Sequence, residues 1–267
     1  TVLEGKTSPA SLSWTKEEVH AFYGRMRNGQ RITTTQVPVE EFRRVFTKYL
    51  ADGQDIVYIA CSSKQSGSVN TARVVSEELL KDYPGASVYC VDSLNACLGE
   101  GALAIEAAKL AETGIGAEEV FKKVQAMRKR VNEYCTVHSL EFLRRAGRVK
   151  GPAAFFGNLM GVKPIIVADA DGAQAAFKKV KGRQASFREI VALLKESIVN
   201  PEEQTIYLAH ADCSEEEVEE LKALVKAEIP CKEIFVGYIG PIIGASIGPD
   251  AVALIGFGKE VTFRAAE

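Results

Sequence analysis

The sequence predicts an α/β protein, with an N-terminal parallel, doubly wound sheet, a C-terminal mixed α/β domain and a ligand cleft between them. Three observations carry this. Apolar strand-like runs alternate with stretches of helical spacing along the whole chain. The runs Asp55–Ala60 and Ala86–Val91 bracket a helical pattern, which reads as a βαβ unit. Composition then shifts after Tyr134–Val137 with no low-complexity linker, giving domains 1–138 and 139–267 that pack closely.

In order along the chain, His20 falls in a charged helical stretch, and Thr33-Thr34-Thr35-Gln36-Val37-Pro38 is a hydroxyl-rich turn set to open a helix. After the strand Asp55–Ala60, a second such turn, Ser62-Ser63-Lys64-Gln65-Ser66-Gly67-Ser68, leads into a helix. There Val69, Ala72, Val75, Leu79 and Leu80 share one face. The strand Ala86–Val91 runs into Asp92–Gly101 and a helix from Ala102 to Glu112. Thr113-Gly114-Ile115-Gly116 breaks the pattern before a helix from Ala117 to Val131. The strand Tyr134–Val137, a short basic helix Leu140–Arg145 and an apolar helix Ala153–Met160 follow. Lys163–Ala168 and Ala173–Val180 read as a hairpin about the turn Asp169–Gly172. Helices at Ser186–Ser197 and Ser214–Ala227 alternate with strands Thr205–Ala209 and Glu233–Val236. A Gly/Pro-rich stretch, Gly240–Pro249, precedes the last strand, Ala251–Phe257.

Composition excludes several classes of function. With 267 residues, 46% apolar content and a net charge of −2, the chain has ample core and no basic face for nucleic acid. No apolar run is long enough for a transmembrane segment, and no secretory signal opens the chain. The six cysteines are scattered without CxxC spacing, as expected of structural thiols in a reducing cytoplasm. The chain opens on Thr1, which leads us to expect that a leading segment has been lost.

The two hydroxyl-rich turns are the most concentrated polar signal. A helix start offers free backbone N–H groups, a dipole and capping hydroxyls, all of which can face one anion. Thr34, Thr35, Ser66, Gly67 and Ser68 are therefore candidate ligands for a carboxylate or phosphate. The competing role is plain helix capping, which needs one hydroxyl per helix where each turn carries several. No GxxxxGK[ST] loop is present, and Gly99-Glu100-Gly101 lacks the third glycine of a dinucleotide fingerprint. The histidines His20, His138 and His210 have no GxSxG, HExxH or triad spacing around them, and the acids do not cluster as metal ligands. Arg144, Arg145, Arg148 and Lys150, with Lys181 and Arg183 further on, form either a solvated helix end or a docking surface for an acidic or phosphate-bearing partner. The Ala153–Met160 helix suits a core or the wall of a lipid tunnel.

The ordered set of motifs resembles the DegV family. Thr34-Thr35-Gln36 is similar to its Thr-Ser-Gln turn, and Ser66-Gly67-Ser68-Val69-Asn70-Thr71-Ala72 to its Ser-Gly-Thr helix start. Asp92-Ser93 with Gly99-Glu100-Gly101, Leu143–Val149, Gly161–Ile166, His210-Ala211-Asp212 and Gly240–Pro249 continue the resemblance over essentially the whole chain. The resemblance implies a bacterial lipid-binding carrier with no turnover alone and no cofactor beyond its ligand. It would bury one long-chain fatty acid and present the carboxylate to a separate ATP-dependent fatty-acid kinase, which makes an acyl phosphate. By position, Thr34, Thr35, Ser66, Gly67, Ser68 and Ser246 would bind the carboxylate, and Phe156, Leu159, Met160 and Ile243 would line the tail. Arg148 and Arg183 would dock the kinase, with Lys181 the alternative to the second. Two departures stand out. About 30 residues of the family's opening, including its first strand, are absent, which would leave one edge of the first sheet open. Ser246 also replaces the family's histidine. The alternative function is a stand-alone small-molecule phosphotransferase or other anion-processing enzyme using the same turns, with His138 or His210 as base.

Overall fold

The computed structural model describes residues 1–10, 13–152 and 161–265. A small antiparallel sheet of β1 (Val2–Leu3), β2 (Lys6–Thr7) and β3 (Ile32–Thr33) accompanies helix α1 (Lys16–Arg27). A capping box starts α1: the Thr15 hydroxyl accepts from the Glu18 N–H, and the Glu18 carboxylate accepts from the Thr15 N–H. Tyr23 on α1 is fully buried, and its hydroxyl donates to the Ile239 carbonyl at 2.5 Å. This fastens α1 to the far end of the chain.

The N-terminal layer is wound about two parallel strands, β4 (Ile56–Ala60) and β5 (Val88–Asp92). Strand alternation divides their side chains between two faces. Ile56, Tyr58 and Val88 pack with Phe42, Phe46 and Leu50 of α2 (Val39–Ala51) and Val75 and Leu79 of α3 (Ser68–Leu79). Val57, Ile59 and Val91 pack with Leu103 of α4 (Cys97–Glu112) and Val120 and Val124 of α5 (Ala117–Met127). Helices cover both faces, as the sequence predicts, although only two strands pair in this sheet among the described residues.

The C-terminal part adds β6 (Val131–Thr136), α6 (Leu140–Ala146), β7 (Val149–Lys150), β8 (Val162–Ala168), β9 (Gln174–Lys181) and α7 (Arg183–Ser197). It continues with β10 (Thr205–His210), α8 (Glu215–Glu228), β11 (Glu233–Tyr238), α9 (Pro241–Ile247) and β12 (Val252–Phe257). Among the described residues seven strands form one mixed sheet in the order β11-β10-β12-β6-β8-β9-β7, with β10–β11 and β7–β9 parallel and the other neighbours antiparallel. Alternation again sorts the faces. Ile206, Leu208, Val252 and Leu254 point to α7 and α8, and Ala209, Ala253, Cys135 and Ile255 point to the N-terminal layer. Several of the second group are small, which leaves room between the layers.

Three elements differ from the sequence expectation. Helix α5 stops at Met127 and a 3₁₀ turn, Arg128–Arg130, leads into β6 at Val131. Ladder pairing of Val131 with Phe257 and a hydrogen bond from Arg130 Nε to the Gly258 carbonyl at 2.8 Å outweigh local helix propensity. Strand β6 lies between β12 and β8, so residues 131–136 are built into the large sheet although they precede residue 138. The Gly/Pro-rich stretch contains a helix, α9, started by Pro241 at its first position. The expected apolar helix Ala153–Met160 lies outside the described residues.

Candidate functional site

The two hydroxyl-rich turns meet. The Gln36 side-chain amide donates to Thr71 Oγ1 at 3.1 Å, and the Val37 N–H donates to Ser68 Oγ at 3.2 Å. The Gln36 side-chain oxygen packs against Gly67, where a Cβ would make the Gln36 side chain shift. The residues at the cap positions of α2 and α3 are Pro38 and Gly67, and neither makes a side-chain cap hydrogen bond. The Thr34 and Thr35 hydroxyls are thus not holding α2. Ser66 Oγ lies 2.8 Å from Ser68 Oγ and accepts from the Ser68 N–H at 3.2 Å, which fixes its direction.

Between the sheet layers lies a cavity of about 210 Å³. Thr34, Thr35, Gln36, Ser66 and Gly67 line it from the turns, Ile243 and Ser246 from α9, and Leu143 and Arg148 from α6 and the residues that follow it. Its remaining wall is mainly apolar, with Val137, Ile166, Ile239, Ala253 and Ile255 among its residues. Helix α6 ends at the left-handed Gly147, which turns the chain so that Arg148 reaches this wall. A smaller cleft adjoins the cavity. It shares Thr34, Ala146, Arg148 and Ser246 with it and adds Arg31 and Arg145.

Ser68 is not on the cavity wall; it stands behind Ser66 and braces the two turns. Arg183 is also elsewhere. Its side chain is 14% exposed, its Nε donates to Glu217 at 2.8 Å, its Nη2 donates to the Asp250 carbonyl at 2.7 Å, and it stacks on Phe187. Lys181 is exposed at the end of β9. Phe156, Leu159 and Met160 lie outside the described residues. No histidine lines the cavity: His20 pairs with Asp212, His138 contacts Lys163, and His210 Nδ1 accepts from the Cys213 N–H.

The structure adds residues that the sequence reading did not single out. Glu133, Cys135 and Val137 line one wall over about 13 Å of extended chain, with Cys61, Cys97 and Gln174 nearby on the same cavity. Burial pushes the Glu133 carboxyl up to about 7, against the Gln174 side chain and the Ala96 amide, which favour the charged form. Burial likewise raises Glu100 to about 7, against the Cys61 backbone. It raises the Cys61 and Cys135 thiols and pushes Cys97 up to about 12. The signal for Glu133 was period-two spacing with Cys135 and Val137, concealed by the basic run before it.

A stability prediction follows from Glu133. Its folded pKa lies above the ordinary carboxylate value, so the folded state keeps a proton that the unfolded chain has lost. Stability therefore falls as pH rises between about 4.5 and 7 and is level above that window. Glu133→Gln removes the ionisation and is expected to gain about 2–3 kcal/mol more at pH 8 than at pH 4 relative to the parent. Urea denaturation at the two pH values measures this, and an equal effect at both would contradict it.

An α/β protein with an apolar cavity closed by hydroxyl-bearing helix starts defines a recognisable class. A family model described as an uncharacterised protein of the DegV family matches residues 12–259. A DegV domain-containing protein of Clostridium perfringens is 38% identical over 242 residues, covering 90% of this chain and 83% of its own. The chain belongs to the DegV family. Among solved structures, a DegV family protein from Thermus thermophilus, described by its fatty-acid binding, superposes with a TM-score of 0.83. It is 26% identical, and the match covers 96% of this chain and 89% of that one. DegV from Bacillus subtilis, described as a fatty acid binding protein, gives a TM-score of 0.81 at 27% identity, covering 97% and 89%.

Proposed function

We propose that this chain is a cytoplasmic carrier that binds one long-chain fatty acid and presents its carboxylate to a separate ATP-dependent fatty-acid kinase. The observation that carries this reading is an apolar cavity on which both hydroxyl turns open. A 16-carbon tail gains roughly 10 kcal/mol gross on leaving water, before binding costs. The carboxylate then needs paired donors. Thr34, Thr35, Ser66, the Gly67 backbone and Ser246 are arranged to supply them, with Ser68 orienting Ser66. Hydroxyls and amides hold a carboxylate without a fixed cation in front of it, which leaves it open to phosphoryl transfer.

Arg148 supports the kinase step, since it borders both the cavity and the cleft that carries Arg31 and Arg145. Arg183 could take part only by leaving Glu217. A carrier is favoured over a stand-alone phosphotransferase because neither His138 nor His210 borders the cavity. All six cysteines are free thiols, which suits a reducing compartment. Among the described residues no helix is long and apolar enough to cross a membrane.

Native mass spectrometry of the purified chain, followed by lipid extraction, tests the carrier. One acyl chain per protein is expected. A mass that remains that of the bare protein after incubation with long-chain acids would remove the reading. Acyl phosphate formed from ATP by the chain alone would replace the carrier with the enzyme.

A further inference from the structure

Lys163, near the start of β8, is half-buried and has no carboxylate partner among the described residues. Its Nζ donates to the His138 carbonyl at 3.1 Å and lies 3.4 Å from His138 Nδ1. Arg183, at the start of α7, adds a second positive charge nearby. Two carboxylates stand in the same corner, Glu217 on α8 and Asp250 after α9, and both are engaged. Arg183 Nε holds Glu217 at 2.8 Å, and Arg27 Nη2 holds Asp250 at 2.6 Å. Lys163 is thus a cation without a counter-ion of its own, beside an exposed imidazole.

Such a place favours the free amine. Burial, then the charge of Arg183, lowers the Lys163 pKa, against Glu217 and Asp250. Burial and Lys163 likewise lower His138, which is therefore uncharged at neutral pH. With its remaining proton on Nε2, the ring accepts at Nδ1. An amine of depressed pKa beside a neutral imidazole is a nucleophile with its base in place. We propose that Lys163 is a covalent modification site, acylated on Nζ by acyl phosphates, with His138 as the proton acceptor. The reagent class follows from charge, because an unanswered cation draws an anionic acyl donor and phosphate leaves without first being protonated. The Nζ lone pair attacks the acyl carbonyl carbon, and a C–N bond forms. One N–H proton passes to His138 Nδ1 and on to solvent, and the C–O bond to phosphate breaks, releasing inorganic phosphate. The product is a neutral amide, so one positive charge is lost beside Arg183. Neither Lys163 nor His138 borders the lipid cavity, and the inference stands apart from the carrier reading.

The test incubates the full chain with acetyl phosphate over a range of pH and maps acetylated lysines by peptide mass spectrometry. Near neutral pH, Lys163 is expected to react at least about tenfold faster than the exposed Lys6 and Lys81, since each unit of lowered pKa raises the free-amine fraction about tenfold. Its rate should level off at lower pH than theirs. His138→Gln is expected to slow Lys163 by about tenfold or more and to leave Lys6 and Lys81 unchanged. Lys163→Arg, which keeps the charge, should remove the fast-reacting site. The comparison among lysines of the parent chain needs no variant. Acetylation of Lys163 no faster than of Lys6 and Lys81, or a Lys163 rate unchanged in folded His138→Gln, overturns the inference.

Discussion

Thr34→Val combined with Ser66→Ala is expected to weaken long-chain fatty-acid binding by about a hundredfold or more while the protein stays folded. On the carrier reading each hydroxyl would donate to a charged carboxylate, and such bonds contribute about 1.5–3 kcal/mol apiece. Folding should change little, because the cap positions of α2 and α3 are Pro38 and Gly67, without side-chain caps. The local loss is the Ser66 contact with the Ser68 N–H and hydroxyl, about 1 kcal/mol. Displacement titration measures the affinity and urea denaturation the stability. Unchanged lipid retention in a folded double variant would show that the carboxylate sits elsewhere.

Gly172→Val is expected to destabilise the protein by at least about 3 kcal/mol. Gly172 has φ +84, where a β-branched residue is strained by about 1–3 kcal/mol. A Cβ there would also strike Ser62 Oγ and lie 2.9 Å from Leu94 Cα. Ser62 Oγ donates to the Gly172 carbonyl at 2.6 Å, which joins the loop after β4 to the β8–β9 hairpin. Because the Ser62 carbonyl accepts from the Ser66 N–H at 3.0 Å, displacement of Ser62 also moves Ser66. Lost stability and lost lipid retention should therefore appear together. A variant that unfolds within about 1 kcal/mol of the parent would mean that the hairpin gives way without disturbing the turn.

How much of this was legible in the sequence depended on whether the signal was local. The hydroxyl turns, the βαβ unit, the β8–β9 hairpin and the resemblance to the DegV family all rest on neighbouring residues. Asp169 illustrates why: its carboxylate accepts from the Asp171 and Ala173 N–H groups, a turn that its own sequence encodes. Elements set by distant partners were missed or misplaced. Strand β7 has two residues and exists through its pairing with β9. Arg128-Lys129-Arg130 offers no breaker, so the helical pattern runs on and leaves Glu133 ahead of the strand, whereas pairing with β12 fixes the true start at Val131. At Arg183 the motif gave position but not environment, since Glu217 lies 34 residues away.

The three cavity thiols bear on what an activated cargo would meet. An acyl phosphate is an electrophile, and the thiolate is the form of cysteine that attacks one. Cys61, Cys97 and Cys135 all border the cavity, and burial raises the pKa of each thiol above its ordinary value. Near neutral pH they remain S–H groups and poor nucleophiles. If the chain carries an acyl phosphate as proposed, the lining would thus be rich in sulfur without becoming acylated by its cargo.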